Sequence, residues 1–121
     1  MEDIAQKILC VCQGGNSRSV HLAFLLKYRY GVDALACGWE GNAPATVEML
    51  CVWADRIIVV EDFMIWKIAD VHQHKVRCFD VGPDRFFQPN IELLQLFDKM
   101  IADNVRTKDG EMVYCSEDQV T

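Results

Sequence analysis

Apolar residues in this chain of 121 amino acids fall into short continuous runs separated by longer stretches of helical period. The first run, Ile8 to Cys12, is apolar at every position, which is typical of a parallel strand buried on both faces. Three later runs have the same strand length and are bounded by polar or turn-forming residues. The predicted strands cover residues 8–12, 32–37, 56–60 and 76–79.

The stretches between these runs carry apolar residues at i, i+3 and i+4, the spacing of one helix face. The predicted helices cover residues 17–30, 43–54, 62–69 and a last segment that starts after residue 90. Gly31 is placed to end the first helix, Asn42 to cap the second and Asn90 to cap the last.

Strands and helices that alternate at this spacing predict an α/β fold. We expect a three-layer arrangement, an open parallel four-stranded sheet with helices on both faces and right-handed crossovers. The loops after residues 12, 37, 60 and 79 would then meet at one rim of the sheet, where such folds bind ligands. We assign residues 1–104 to this domain and 105–121 to a polar tail that is either a small hairpin or disordered.

Composition argues against several classes of function. The net charge of −6 argues against a nucleic-acid partner, because duplex binding relies on clustered Lys and Arg. No apolar run approaches the ~20 residues that span a bilayer, and the acidic N-terminus does not resemble a signal peptide, so we expect a cytoplasmic protein without a membrane partner. The six cysteines are then expected to be reduced thiols, and no pattern calls for a zinc site or a cofactor.

The loop after the first predicted strand carries the candidate chemistry. Cys12 would be a nucleophile as a thiolate, stabilised by loop N–H groups, the start of the next helix and Arg18. Gly14 and Gly15 allow the backbone to form an anion-binding nest, and the Arg18 guanidinium can bind two phosphate oxygens at once. Ser19 could donate a hydroxyl to the sulfur. The predicted phosphate-binding residues are Gln13, Gly14, Gly15, Asn16, Ser17, Arg18 and Ser19, with Asn16 bracing the loop through side-chain hydrogen bonds.

Residues 11–19, Val-Cys-Gln-Gly-Gly-Asn-Ser-Arg-Ser, resemble the phosphate-binding loop of the low-molecular-weight protein tyrosine phosphatases. Residues 36–39, 53–60 and 78–80 with Pro83 resemble further segments of that family, in particular its compact bacterial and phage branch. The sequence departs from the family pattern inside the loop: Asn16 stands one place later than usual, Ser17 replaces a second cysteine, and Val20 replaces a proline.

The resemblance implies that Cys12 is the nucleophile, that Arg18 binds phosphate, and that an aspartate after the fourth strand is the general acid. Asp80 and Asp84 are both candidates for this acid. We favour Asp80 because it directly follows the strand, and functional groups in such sheets lie at strand carboxyl ends. Either aspartate could instead serve as an ordinary turn residue.

Three aromatic residues on the rim loops could form the walls of a deep substrate slot: Trp39, Phe86 and Phe87. Aromatic side chains in loops also commonly pack onto their own domain, so both uses stay open for each of them. His72 and His74 have the spacing of a metal pair, but they lie on a polar stretch and are interpreted as solvated residues.

The sequence therefore predicts a phosphomonoester hydrolase, a protein tyrosine phosphatase that works through a phosphocysteine and releases inorganic phosphate. Its substrate would be a phosphotyrosine-containing protein or a small aryl phosphate. Two alternatives stay open: a phosphate- or phosphopeptide-binding module with little turnover, which the displaced Asn16 allows, and an arsenate reductase on the same fold. The second would require a thiol relay that Cys78 could begin, although no cysteine follows it in its loop.

Overall fold

The computed structural model describes residues 7–83, 90–108 and 111–114, with side chains up to residue 102. The strands are β1 (Lys7–Cys12), β2 (Asp33–Gly38), β3 (Arg56–Val59), β4 (Val76–Cys78), β5 (Val105–Lys108) and β6 (Glu111–Tyr114). The α-helices are α1 (Arg18–Tyr30), α2 (Pro44–Trp53) and α3 (Ile91–Asn104), and two 3₁₀ helices span Asp62–Lys67 and Asp70–Lys75.

The first four strands form one parallel sheet in the order β2-β1-β3-β4. β1 lies in the interior of the sheet, which explains why it has no polar residue between Ile8 and Cys12. Cys12 pairs with Gly38 of β2, and Val11 pairs with Val59 of β3, so the three strands end at the same rim. The predicted open parallel four-stranded sheet is confirmed.

Helices cover both faces of this sheet. The chain passes from β1 to β2 in one direction and from β2 back across β1 to β3 in the other, so right-handed crossovers place α1 and α2 on opposite faces. α3 packs beside α1. The fully buried apolar side chains contributed by α1 and α3 are Leu22, Leu26, Leu93, Phe97 and Ile101, and those from α2 and the 3₁₀ helices include Cys51 and Met64.

Two helix ends follow the sequence prediction. Gly31 follows α1 in the left-handed conformation with φ 70°, a backbone geometry that glycine adopts without strain. The Asn90 side chain accepts a 2.8 Å hydrogen bond from the Leu93 N–H and so caps α3.

Two other predictions are wrong. Ala43 rather than Asn42 occupies the N-cap of α2, and the Asn42 side chain instead accepts a 2.8 Å hydrogen bond from the Gly38 N–H. The helix predicted over 62–69 is replaced by the two 3₁₀ helices. The Gln73 amide donates to the carbonyl oxygens of Ile65 and Ile68, at 2.7 and 2.8 Å, and so satisfies groups that a continuing α-helix would have used.

After α3, β5 and β6 pair as an antiparallel hairpin, with Val105 opposite Tyr114. This corresponds to the hairpin alternative for residues 105–114, while the domain boundary at residue 104 stays a prediction. Within the part of the chain that the structure describes, no helix has the length and apolar character needed to cross a membrane.

Candidate active site

Cys12 ends β1 at the rim of the sheet, with only 2% of its surface exposed. Two polar groups lie beside its sulfur. The Gly15 N–H donates to Sγ with an N–S distance of 3.1 Å, and the Cys12 thiol donates to the Ser19 Oγ with an S–O distance of 3.1 Å. When the sulfur is a thiolate, the Ser19 hydroxyl can donate in the opposite direction.

The loop after Cys12 is fixed by the turn that follows β2. The Trp39 N–H donates to the Cys12 carbonyl oxygen at 3.0 Å, and the N–H groups of Glu40 and Gly41 both donate to the Gln13 carbonyl at 3.0 Å. At Gly15, φ is 80° and a Cβ atom would lie 2.5 Å from the Gly38 nitrogen. The two backbone segments are therefore in contact at a place where only glycine fits.

The middle of the loop differs from the prediction made for it. Asn16 is exposed and its side chain makes no hydrogen bond with the described residues, so its predicted bracing role is wrong. The turn of residues 38–42 braces the loop instead, with Asn42 closing that turn through the Gly38 N–H. The sequence signal for this arrangement was the Gly38 to Gly41 spacing followed by Asn42.

His21 connects the loop to the start of α3. Its Nδ1–H donates to the Ser17 carbonyl oxygen at 2.8 Å, and its Nε2 accepts the Asn90 N–H at 3.2 Å. With one ring nitrogen donating and the other accepting, the imidazole is neutral in this arrangement. His21 is thus a packed structural residue.

Arg18 is a fully buried charged side chain at the start of α1, with 1% of its surface exposed. Its Nη1 donates to Glu61 Oε1 at 2.9 Å and to the Gly82 carbonyl oxygen at 2.7 Å. Its Nε is buried and has no hydrogen-bond partner among the described residues. Glu61 was missed by the sequence analysis, although its position directly after the third predicted strand placed it at the same rim.

Asp80 lies at this rim but both of its carboxylate oxygens already accept backbone hydrogen bonds. Oδ1 accepts the Gly82 N–H at 2.8 Å, and Oδ2 accepts the Asp62 N–H at 3.0 Å. Asp80 therefore links the loops of Glu61 and Gly82, the two residues that accept hydrogen bonds from the Arg18 guanidinium. The other acid candidate, Asp84, and the aromatic residues Phe86 and Phe87 lie outside the described residues.

Trp39 is the one predicted wall residue that the structure describes, and it is half-buried beside the loop. Its ring meets the Phe63 ring edge-on, with centroids 6.2 Å apart and an interplanar angle of 88°. The Lys67 ammonium lies 4.5 Å from the centroid of the same indole. These two contacts fix the orientation of the indole at the rim, as edge-to-face and cation–π pairs do.

The remaining polar candidates do not form a metal site. His72 is buried with its Nε2 at 3.1 Å from each carboxylate oxygen of Glu48, which corrects its interpretation as a solvated residue, whereas His74 is exposed. The described residues contain no group of three His, Cys, Asp or Glu side chains able to hold a metal ion. Burial raises the pKa of the Cys37 and Cys78 thiols to about 12, so both are neutral at physiological pH.

Comparison with known proteins gives no matching protein-family model and no match among curated proteins. Among solved structures the chain is similar to Wzb of Vibrio vulnificus in complex with benzylphosphonate. The superposition has a TM-score of 0.61 at 21% sequence identity and covers 78% of this chain and 93% of that one. The two proteins therefore share a fold.

Proposed function

We propose that this protein is a phosphomonoester hydrolase that acts on phosphotyrosine through a phosphocysteine at Cys12. The observation that carries the proposal is the Arg18 guanidinium, whose Nη1 is anchored while its Nε is a buried donor without a partner among the described residues. A buried charged donor costs free energy until an acceptor satisfies it. A phosphate oxygen supplies that acceptor beside the nucleophilic sulfur.

In the first step the Cys12 thiolate attacks phosphorus, a P–S bond forms, and the P–O bond to the phenol breaks. Charge on the equatorial oxygens is stabilised by the Arg18 guanidinium and by N–H groups of the loop, which are held in place before the substrate arrives. The leaving phenoxide oxygen takes a proton from a carboxylic acid. In the second step the deprotonated acid accepts a proton from water, which attacks phosphorus, breaks the P–S bond and releases inorganic phosphate.

Ser19 has a role in that second step. Its hydroxyl, 3.1 Å from Sγ, can donate to the sulfur as the P–S bond breaks and the thiolate re-forms. The Gly15 N–H acts on the same atom at the same distance. Both contacts stabilise the leaving sulfur, so they accelerate breakdown of the phosphocysteine.

We assign the proton donor to Asp84 and a positioning role to Asp80. Both Asp80 oxygens accept backbone N–H groups, an arrangement that holds the loops of Glu61 and Gly82 around Arg18. Asp84 follows Gly82 by two residues, close enough in sequence to act at the same rim. This assignment reverses the preference drawn from the sequence.

Phosphotyrosine is the favoured substrate because Trp39 stands beside Cys12 and offers an apolar wall for a phenyl ring. The structural neighbour supports the same class, since the ligand in its complex is benzylphosphonate, an aromatic ring joined to a phosphate-like group. An arsenate reductase is disfavoured because Cys78, the first relay candidate, is held as a neutral thiol with its pKa raised to about 12 by burial.

The proposal is tested with purified protein and a small aryl phosphate. Cys12→Ser is expected to abolish turnover, and Arg18→Lys to lower kcat/KM by about 10²–10³, because lysine cannot reproduce a bidentate contact. Cys78→Ser serves as the matched cysteine control and should retain activity. Absence of turnover in the wild type, together with phosphopeptide binding, would instead establish the binding module.

A further inference from the structure

A cavity of about 190 Å³ lies on the far side of Trp39, between the first turns of α2 and the two 3₁₀ helices. α2 follows the carboxyl end of β2, and the 3₁₀ helices follow that of β3, so the cavity is at the same rim as Cys12. Trp39 joins the two sites, since its N–H donates to the Cys12 carbonyl and its ring lines the cavity.

Most polar side chains that line the cavity already have partners, whereas the Trp39 indole N–H is buried without a hydrogen-bond partner among the described residues. Glu48 and His72 contact each other at 3.1 Å, and the Lys67 ammonium lies over the Trp39 ring. Burial raises the pKa of the Cys51 thiol, which therefore lines the cavity as a neutral group. Val47, Ile68 and other apolar residues form most of the remaining wall. A ligand of matching chemistry is uncharged and largely apolar.

The volume limits the size of that ligand. A cavity of about 150 Å³ in another protein holds a benzene molecule, so 190 Å³ accommodates a phenyl ring or a branched aliphatic side chain with little space left over. A free hydrocarbon of that size is not a common metabolite. An apolar side chain of a polypeptide is the occupant that would arrive at this rim together with a phosphotyrosine.

We propose that this cavity binds an apolar side chain, of the size of Leu or Phe, within two residues of the phosphotyrosine in the substrate. The inference rests on the proposed function, because it treats the cavity as a second pocket of the same substrate site. It makes the protein selective for phosphotyrosine in an apolar sequence context. Trp39 separates the two pockets and contacts the substrate from both sides.

The test uses five phosphopeptides, one with glycine around the phosphotyrosine and four with a single Leu at position −2, −1, +1 or +2. At one of these positions Leu is expected to raise kcat/KM about tenfold, because partial burial of a leucine side chain stabilises the bound peptide by about that factor. Ala69 is an exposed residue of the cavity wall, so Ala69→Leu places a larger side chain there. This variant should lose the gain in kcat/KM. Ala102→Leu, an exposed alanine of α3, is the matched control and should retain it.

A small aryl phosphate reports on the catalytic centre alone, and its hydrolysis should change less than twofold in Ala69→Leu. The proposal is overturned if no Leu position raises kcat/KM by more than twofold, or if the gain survives Ala69→Leu. Absence of aryl phosphate hydrolysis by the wild-type protein would refute the proposed function instead. The cavity is then tested by equilibrium binding of the same peptides. The proposal for the cavity requires that Leu at one position strengthens binding and that Ala69→Leu removes this effect.

Discussion

At Gly15 the loop that follows Cys12 lies in close contact with the end of β2, and alanine substitution measures how much this contact contributes to stability and activity. Gly15 and Gly31 share the left-handed conformation, with φ of 80° and 70°. They differ in their surroundings: a Cβ at Gly31 would meet nothing within 4 Å, whereas at Gly15 it would lie 2.5 Å from the Gly38 nitrogen and 2.8 Å from the Cys37 carbonyl carbon. The pair separates conformational strain from steric overlap.

For Gly31→Ala we expect a loss of about 1 kcal/mol in unfolding free energy, the cost of placing an L-residue in the left-handed region. Gly15→Ala carries the same cost and also needs a shift of about 0.9 Å to restore a 3.4 Å contact with backbone atoms of a paired strand. Overpacking of this kind costs about 1–3 kcal/mol. The expected total is therefore about 2–4 kcal/mol, a fall in Tm of roughly 8–16 °C for a domain of this size.

Urea unfolding gives the free energies, provided that the m value is unchanged between variants. Hydrolysis of an aryl phosphate gives the functional consequence. Gly15→Ala should lower kcat/KM about 100-fold, because a displacement near 1 Å misplaces the loop N–H groups around the phosphate. Gly31→Ala should stay within twofold of the wild type. Equal stability and equal activity of the two variants would refute the argument that this contact positions the loop.

Other predictions address the groups around the loop. Asp84→Asn should lower kcat by about 10²–10⁴-fold and remove the dependence on an acidic group from the pH–rate profile. Asp80→Asn should lower activity but keep that dependence; the reverse pattern contradicts the assignment of Asp84 as proton donor. Glu61→Ala should lower kcat/KM at least about tenfold. Glu61→Gln should retain most of the wild-type kcat/KM, because the amide oxygen can still accept the arginine hydrogen bond; equal losses in the two variants would show that the charge of Glu61 is required. Because burial raises the pKa of Cys37 and Cys78 from 9.0 to about 12, the fold retains neutral thiols that the unfolded chain ionises. Stability should be independent of these groups below pH 9 and fall between pH 9 and 12, and urea titrations of Cys78→Ala should show a shallower fall; an identical fall argues against this cause.

The parallel sheet could be predicted because each strand is a local apolar run, and the position of Cys12 at the end of β1 follows from that run. Asn42 shows why other features could not be predicted. It fits the N-cap pattern of α2, yet its side chain accepts the Gly38 N–H, a group brought near by the tight turn beside the loop that follows Cys12. The conformation of this turn decided between two possible donors to one acceptor, the Asn42 side-chain oxygen.

The predicted third helix failed for a similar reason. Its apolar spacing suits an α-helix, but the Gln73 side chain takes up two carbonyl groups and stabilises two short 3₁₀ turns. Cys12 and Arg18 could be proposed from the sequence because their spacing within one loop is local. The Glu61 partner is 43 residues from Arg18 in sequence, and no local pattern indicates such a contact.

His21 and Arg18 together have a mechanical consequence for the segment that carries Asp84. Gly82 is attached to Arg18 at one end of that segment, and Asn90 is attached to His21 at the other. Both attachment points belong to α1, so this one helix holds Gly82 and Asn90. A substitution that tilts α1 would therefore move Arg18, Gly82 and Asn90 together and change their position relative to Cys12.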